Sequence, residues 1–195
     1  MYTPILPLLF GYKKWNTLLW WYVMAGFATD MIGGHILKPM GITIEWLSNL
    51  YMLVNFVLLA LYVGKPLNKS KQYKLYIVTG IFSLIFIIYC IQHSVLLFNG
   101  LGMSMLNFIC VLFGIYALYC MLEELKIEKI QESEYFWANV SFIIYYSGNF
   151  LLFLFHDYLL AEKKEILILL WAYILFSMNI LDRLILTVAL TRKKP

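Results

Sequence analysis

The stretch LYIVTGIFSLIFIIYCIQHSVLLFNGLGMSMLNFICVLFGIYALYCML, residues 75–122, contains no Asp, Glu, Lys or Arg. A transmembrane helix needs roughly 20 apolar residues to cross about 30 Å of hydrocarbon, so this stretch is long enough for two crossings. Turn-forming residues divide it at Phe98-Asn99-Gly100-Leu101-Gly102. We therefore expect a helical hairpin embedded in a membrane.

The composition extends this expectation to the whole chain. Hydrophobic residues make up 63% of the sequence and charged residues 13%, a balance that a soluble globular domain does not have. In lipid, a helix satisfies its own backbone hydrogen bonds. We therefore predict an all-α, polytopic bundle forming a single integral membrane domain over residues 1–195. The predicted helices span approximately residues 16–36, 46–63, 75–92, 102–122, 135–155 and 166–190.

The N-terminal segment leaves the helix count open. The apolar segment from Pro4 to Tyr12 reaches only about half of the bilayer at roughly 1.5 Å per residue. One interpretation is an interfacial or re-entrant segment that lies against the first helix, and the other is part of a longer, seventh helix. The bilayer thickness favours the first interpretation.

The distribution of Lys and Arg predicts the orientation. Short cytoplasmic connections of membrane proteins carry an excess of these residues. Eleven lie on one predicted side and three on the other, with Arg183 inside the last helix. The eleven are Lys13, Lys14, Lys65, Lys69, Lys71, Lys74, Lys126, Lys129, Arg192, Lys193 and Lys194, and the three are Lys38, Lys163 and Lys164. We therefore expect both termini to be cytoplasmic, in a cell inner membrane.

The same charges indicate the partners. The net charge of +4 describes orientation and contact with anionic lipid, and it does not indicate nucleic acid. The longest connection, residues 123–134, has the charge spacing of a solvated helix extension and could also bind a cytoplasmic signalling partner. Small-residue helix faces permit contacts within one chain or in a homo-oligomer.

Polar residues within the helices predict a pocket. When the helices are threaded alternately through the bilayer, most intramembrane polar residues fall in its outer half. An ionisable side chain at that depth costs roughly 3 kcal/mol unless it is paired or hydrated. We predict an outward-facing polar pocket whose ligand-binding residues are Asp30, Asn49, Tyr146, Ser147 and Asn149.

Asp30 is the strongest single candidate in that pocket. It lies between Gly26 and Gly34 at four-residue spacing, on a small-residue face that lets another helix approach closely. One interpretation is structural, with a hydrogen bond to Asn49, Tyr145 or Ser147. The other is a ligand or proton site, because intramembrane acids are often functional.

The spacing of the histidines along the sequence does not favour a metal site. The three histidines, His35, His93 and His156, are isolated and form no motif that places two ligands on one helix face. If a site exists, these histidines with Asp30 or Glu45 are the ligands to test. We expect no cofactor.

A second polar group lies on the last predicted helix. Asn179, Asp182 and Arg183 fall toward its cytoplasmic end. Arg183 is close enough to that end to extend toward lipid head groups, and Asp182 then pairs with a lysine or with a neighbouring helix. A structural ion pair or a lipid-phosphate contact is the first interpretation, and coupling of the outer pocket to the cytoplasm is the second.

Catalysis finds little support in the sequence. No serine lies in a Gly-x-Ser-x-Gly motif, and Cys90, Cys110 and Cys120 occupy apolar helix positions. Catalytic residues are therefore unknown. Membrane-embedded hydrolases assemble His and Asp from separate helices, so a lipid-active enzyme stays an alternative.

Several short motifs carry a family resemblance. They are Asn49-Leu50-Tyr51, Phe136-Trp137, the run Tyr146-Ser147-Gly148-Asn149-Phe150 and the basic residues after the last helix. With them the chain resembles a group of bacterial seven-helix membrane proteins, found alone or as membrane regions ahead of signalling domains. The first helix of that pattern corresponds here only to Pro4–Tyr12. The resemblance implies a sensory or accessory signalling role and no catalytic residues, while an oligomeric pore or small transporter remains a further alternative.

Overall fold

A computed structural model describes residues 5–123 and 130–192 of the chain. Within these ranges the protein is helical and has no strands, which confirms the predicted all-α class. Half of the predicted solvated helix extension at residues 123–134, namely residues 124–129, lies outside the described ranges.

Nine α-helices follow one another along the described chain. They are α1 (Ile5–Phe10), α2 (Leu18–Met31), α3 (Glu45–Gly64), α4 (Lys69–His93), α5 (Gly100–Glu123), α6 (Glu134–Leu154), α7 (His156–Glu162), α8 (Lys164–Leu170) and α9 (Phe176–Thr191). A π-helical turn, Ile32–Leu37, continues α2, and another, Trp171–Leu175, joins α8 to α9. Short 3₁₀ helices lie at Tyr12–Lys14 and Ile130–Glu132.

Side-chain caps mark the starts of two helices. The hydroxyl of Thr17 accepts a hydrogen bond from the backbone N–H of Trp20 at 3.2 Å at the start of α2. The side chain of Asn68 accepts from the N–H of Lys71 at 2.9 Å at the start of α4. Both residues have extended backbones and satisfy a donor that the first turn leaves free.

Five helical spans are long and apolar enough to cross a membrane. They are Glu45–Gly64, Lys69–His93, Gly100–Glu123, Glu134–Leu154 and Lys164–Thr191. The first predicted helix, now residues 18–37, is not among these five. It divides into 14 α-helical and six π-helical residues, and Asp30 and His35 lower its apolar character. The chain is therefore suited to a multi-pass membrane protein, and the count of six crossings stays a prediction.

Two sets of contacts define the ends of the bundle. Lys14 forms an ion pair with Glu134 and donates a hydrogen bond to the carbonyl of Arg192 at 2.5 Å. We call this the terminal end. At the other end, which we call the opposite end, Asn49 donates to the carbonyls of Val95 at 3.1 Å and Leu97 at 2.7 Å. Residues 18–37 thus run from the terminal end to the opposite end.

The predicted basic side corresponds to the terminal end. Lys14 and Arg192 are in contact there, and Lys71 at the start of α4 pairs with Glu123 at the end of α5 at 2.8 Å. Several of the basic residues that predict orientation therefore lie at one end of the bundle. That this end faces the cytoplasm stays a prediction.

The short N-terminal helix packs differently from the prediction. Helix α1 lies chiefly against α9 and makes a smaller contact with α2. A Cβ on Gly11 would lie 2.8 Å from a methyl carbon of Leu190, so glycine allows this close packing. The segment was expected to lie against the first long helix, and its main neighbour is instead the last one.

The break in the charge-free stretch lies slightly earlier than predicted. Helix α4 ends at His93, Ser94 has a left-handed φ of 77°, and α5 begins at Gly100. A Cβ on Gly100 would lie 2.9 Å from the carbonyl oxygen of Phe153, so this glycine lets α5 approach α6 closely. The stretch forms two helices, as the hairpin prediction required.

Helix α6 occupies the centre of the bundle. Its largest helix–helix interfaces are with α5 and α9. Helix α4 lies at the periphery, and it exposes Ile77, Ile81, Leu84 and Ile88. These four positions recur at helical spacing, as expected of a lipid-facing surface.

Candidate functional site

A cavity of about 200 Å³ lies among the helices. Its walls come from α2, α3, α5, α6, the π-helical turn Trp171–Leu175 and α9, together with Phe98 from the connection between α4 and α5. The lining residues are Thr29, Asp30, Ser48, Tyr51, Met52, Asn55, Phe98, Met103, Asn107, Tyr145, Tyr146, Asn149, Phe153, Trp171, Leu175, Asn179 and Arg183.

The volume sets the size of a ligand. A dry cavity of roughly 150 Å³ holds one benzene molecule, and pockets for drug-sized ligands occupy roughly 300–1,000 Å³. At about 200 Å³ this cavity therefore suits a small molecule. Its polar lining also makes it suitable for several water molecules when no ligand is present.

Arg183 is the buried cation of the site. Its side chain is 4% exposed and lines the cavity. A Cβ on Gly26 would lie 2.7 Å from its Nη2 and 3.2 Å from the hydroxyl oxygen of Tyr51, so all three groups meet at the same place. The Tyr51 hydroxyl and the guanidinium also interact electrostatically.

This placement corrects the prediction for Arg183. The sequence predicted that its side chain extends toward lipid head groups at the cytoplasmic end. In the structure it turns into the bundle, because Gly26 on α2 leaves room for the guanidinium. The small-residue face around Asp30 therefore accommodates a side chain from the last helix at Gly26.

Asp182 supports Arg183 from behind the cavity. Its carboxylate accepts a hydrogen bond from the Ser141 hydroxyl at 2.8 Å, and its Oδ2 lies 3.5 Å from Nη1 of Arg183. Asp182 is 1% exposed. The predicted pairing with a neighbouring helix thus has a counterpart in the contact with Ser141 on α6, and the ion pair is with the adjacent Arg183.

Asn179 lies in the same cavity. It lines the wall one helical turn before Arg183, and its amide donates to the carbonyl of Leu175 at 2.7 Å. The sequence divided the polar residues into an outer pocket and a separate group on the last helix. The structure instead joins Asn179 and Arg183 to three predicted pocket residues.

Asp30 contributes the carboxylate of the cavity. It lines the wall, is exposed and interacts electrostatically with Arg183. Of its three predicted hydrogen-bond partners, Tyr145 lines the same cavity, whereas Asn49 and Ser147 do not.

Two further residues of the predicted pocket, Tyr146 and Asn149, belong to the cavity wall. Both line the cavity and are 1% exposed. The Tyr146 hydroxyl shares a hydrogen bond with the Tyr22 hydroxyl at 2.9 Å. The Oδ1 of Asn149 has no hydrogen-bond partner among the described residues.

Asn49 and Ser147, which were predicted to bind the ligand, do not line the cavity. Asn49 is buried, and its amide holds the connection between α4 and α5 through the carbonyls of Val95 and Leu97. Ser147 is exposed, and its hydroxyl donates to the carbonyl of Ile144 at 3.2 Å. Ser147 is adjacent to Tyr146 in sequence, and the helical rotation between them places it outside the cavity.

The three histidines do not assemble. His35 and His93 are exposed, whereas His156 is buried beside Phe98 and lies 2.8 Å from Asp157. Within residues 5–123 and 130–192, no group of three His, Cys, Asp or Glu side chains could hold a metal ion. Glu45, the further candidate ligand, is half-buried at the start of α3.

Several cavity residues were not predicted as site residues. Tyr51, Asn55, Asn107 and Trp171 all line the wall. Asn55 and Asn107 could have been found, because an asparagine in the middle of an apolar helix needs a partner. The aromatic residues carry no such signal, since tyrosine and tryptophan are common at membrane interfaces.

Comparison of the chain with family models, curated proteins and solved structures gives no match.

Proposed function

We propose that this protein is a membrane-embedded ligand-sensing module. In this proposal the cavity binds a small molecule, and helices α6 and α9 pass its occupancy to the terminal end. One observation carries the proposal: these two helices contribute both cavity residues and the contacts of the terminal end. Helix α6 contains Asn149 and Glu134, and α9 contains Arg183 and is followed directly by Arg192.

A buried contact joins the two helices between these regions. Ser141 on α6 donates to both the carboxylate and the backbone carbonyl of Asp182 on α9, at 2.8 and 3.1 Å. A ligand that moves Arg183 therefore acts on a residue next to Asp182. A ligand shifts a conformational equilibrium only if it binds the two states unequally, and direct contact with Arg183 provides such a difference.

Aromatic packing supports binding over conduction. A row of buried rings leads from the cavity wall toward the terminal end, namely Tyr146, Tyr22, Phe142, Tyr62 and Tyr135. Successive ring centroids from Tyr22 onward are 5.0, 6.0 and 5.6 Å apart. The Tyr135 hydroxyl donates to the carbonyl of Val63 at 2.7 Å near the terminal end. This packed row favours a closed cavity over a pore through one chain.

The terminal end offers the surface for a signalling partner. With the predicted orientation it faces the cytoplasm, and its ion pairs Lys14–Glu134 and Lys71–Glu123 join separate helices. A partner that binds one of the charged side chains in these ion pairs would bind more or less strongly when α6 or α9 shifts. A sensory or accessory role is also what the resemblance to bacterial seven-helix proteins implies.

A matched pair of serine substitutions tests the cavity. Ser48 lines it, whereas Ser177 is exposed on α9, and each hydroxyl donates to the carbonyl four residues earlier. Native mass spectrometry of the purified protein should detect a retained small molecule in the wild type and in Ser177→Phe. In Ser48→Phe the added ring fills the cavity, so the retained mass should disappear.

Hydrogen exchange tests the coupling. Release of the retained molecule should increase exchange at the backbone of residues 130–137, and Ser141→Ala should reduce that difference. Equal exchange at residues 130–137 with and without the retained molecule would refute the coupling. If the wild-type protein retains no molecule and conducts ions across liposome membranes, the pore alternative would be favoured.

A further inference from the structure

Two acidic side chains and one basic side chain lie in or directly behind the cavity wall. Asp30 and Arg183 line the wall, and Asp182 lies directly behind Arg183. Asp182 and Arg183 are 3.5 Å apart and compensate each other's charge. Asp30 also interacts electrostatically with Arg183, so the two carboxylates and the one guanidinium together carry one excess negative charge.

The cavity wall is also rich in aromatic rings. Six lining residues are aromatic, namely Tyr51, Phe98, Tyr145, Tyr146, Phe153 and Trp171. Phe98 lies edge-on to Phe153 and to Trp171, with ring centroids 5.5 Å apart in both pairs. Aromatic faces attract cations, and such clusters recognise substituted ammonium groups.

We infer that the cavity binds a small organic cation, an amine or quaternary ammonium compound. The inference rests on the proposed function and names its ligand class. The cationic centre lies between the Asp30 carboxylate and the aromatic rings, and the apolar substituents contact Met52 and Met103. An anion would add a third negative charge to a site with one guanidinium, so the charge balance disfavours it.

The volume agrees with this class. Choline and phenethylamine are somewhat larger than the benzene molecule that a cavity of roughly 150 Å³ accepts. The cavity here has about 200 Å³, which leaves room for a few substituents on the nitrogen. Hydroxyl and amide groups around the wall, including those of Thr29 and Asn107, can bind polar substituents.

Thermal stabilisation of the purified protein tests the inference, because a ligand that binds the folded state raises its melting temperature. The probes are choline, phenethylamine, acetate and 3,3-dimethylbutan-1-ol, in which carbon replaces the nitrogen of choline. We expect stabilisation by at least one of the two cations, no comparable stabilisation by the neutral alcohol, and none by acetate.

Matched variants locate the cationic centre. Asp30→Asn should weaken cation binding about tenfold or more, whereas Glu165→Gln, at an exposed acid outside the cavity, should leave it unchanged. Trp171→Leu should weaken binding severalfold, and Tyr173→Leu, at an exposed ring two residues away, should not. A thermal scan without probes shows whether each variant is folded.

The outcomes separate this inference from the proposed function. Equal binding of choline and its neutral analogue, unchanged cation binding in Asp30→Asn, or stronger binding of acetate would overturn the cation assignment. Failure of both cations at about 10 mM, a concentration that detects millimolar affinity, would overturn it as well. If Ser48→Phe still removed a retained molecule, the sensor proposal would stand with another ligand class.

Discussion

Helices α4 and α6 are both long and apolar enough to cross a membrane, but they differ in hydropathy and in their contribution to the cavity. Helix α4 is the most apolar of the five spans and α6 is the least apolar. Helix α4 contributes none of the cavity residues named above, whereas α6 contributes Tyr145, Tyr146 and Asn149. The span that most clearly identifies a membrane protein therefore says least about the site, because polar groups that form a pocket reduce hydropathy.

The largest expected effect concerns the buried ion pair Asp182–Arg183, which contacts α6 through Ser141. Helix α4 has no buried ion pair in the described structure. Asp182→Ala should destabilise the protein by about 3–5 kcal/mol, because it leaves the guanidinium of Arg183 buried without its counter-ion. Thermal or denaturant unfolding in detergent measures the change. Adding Arg183→Met should restore part of the loss, and a double variant less stable than either single one would contradict this account.

Two glycines extend the comparison to α2 and α4. Gly26→Ala should cost about 1–3 kcal/mol, because the new Cβ would lie 2.7 Å from Nη2 of Arg183. Gly80→Ala on α4 meets nothing within 4 Å and should be neutral or slightly stabilising. Unfolding of both variants under one condition measures the difference. Equal stability would mean that Gly26 does not position the guanidinium.

Two serines compare α6 and α4 directly. Ser141→Ala should cost about 1.5–3 kcal/mol, because the buried hydroxyl donates to a carboxylate. On α4, the half-buried Ser83 has a hydroxyl with no hydrogen-bond partner in the described structure. Ser83→Ala should therefore leave stability unchanged or raise it. A larger loss at Ser83 than at Ser141, measured by unfolding, would reverse the comparison between the two helices.

The smallest expected effect concerns two tyrosines. Tyr146→Phe removes the hydroxyl that bonds Tyr22 at 2.9 Å and should cost about 1 kcal/mol. Tyr73 on α4 is 68% exposed, so Tyr73→Phe should have no measurable effect. The melting temperatures of the two variants provide the test. An unchanged melting temperature for Tyr146→Phe would show that the hydroxyl pair contributes nothing to stability.

Sequence reasoning located the site in part. Asp30, Tyr146 and Asn149 are predicted pocket residues that line the cavity, because polar side chains in apolar helices need partners. Asn49 and Ser147 satisfy the same criterion and lie elsewhere. The criterion identifies depth in the membrane, and it does not identify the direction in which a side chain points.

The helical class, the approximate positions of the helices and the basic connections that share an end could all be inferred from the amino-acid sequence. Bilayer thickness and the cost of buried charge act on each segment separately, so these properties can be inferred from local composition. The packing of the helices was needed to show that Arg183 turns inward beside Gly26 and lines one cavity with Asn179 and Asp30. The reason is that helices apolar on nearly every side have no strong preferred rotation, and close packing between particular residues selects one.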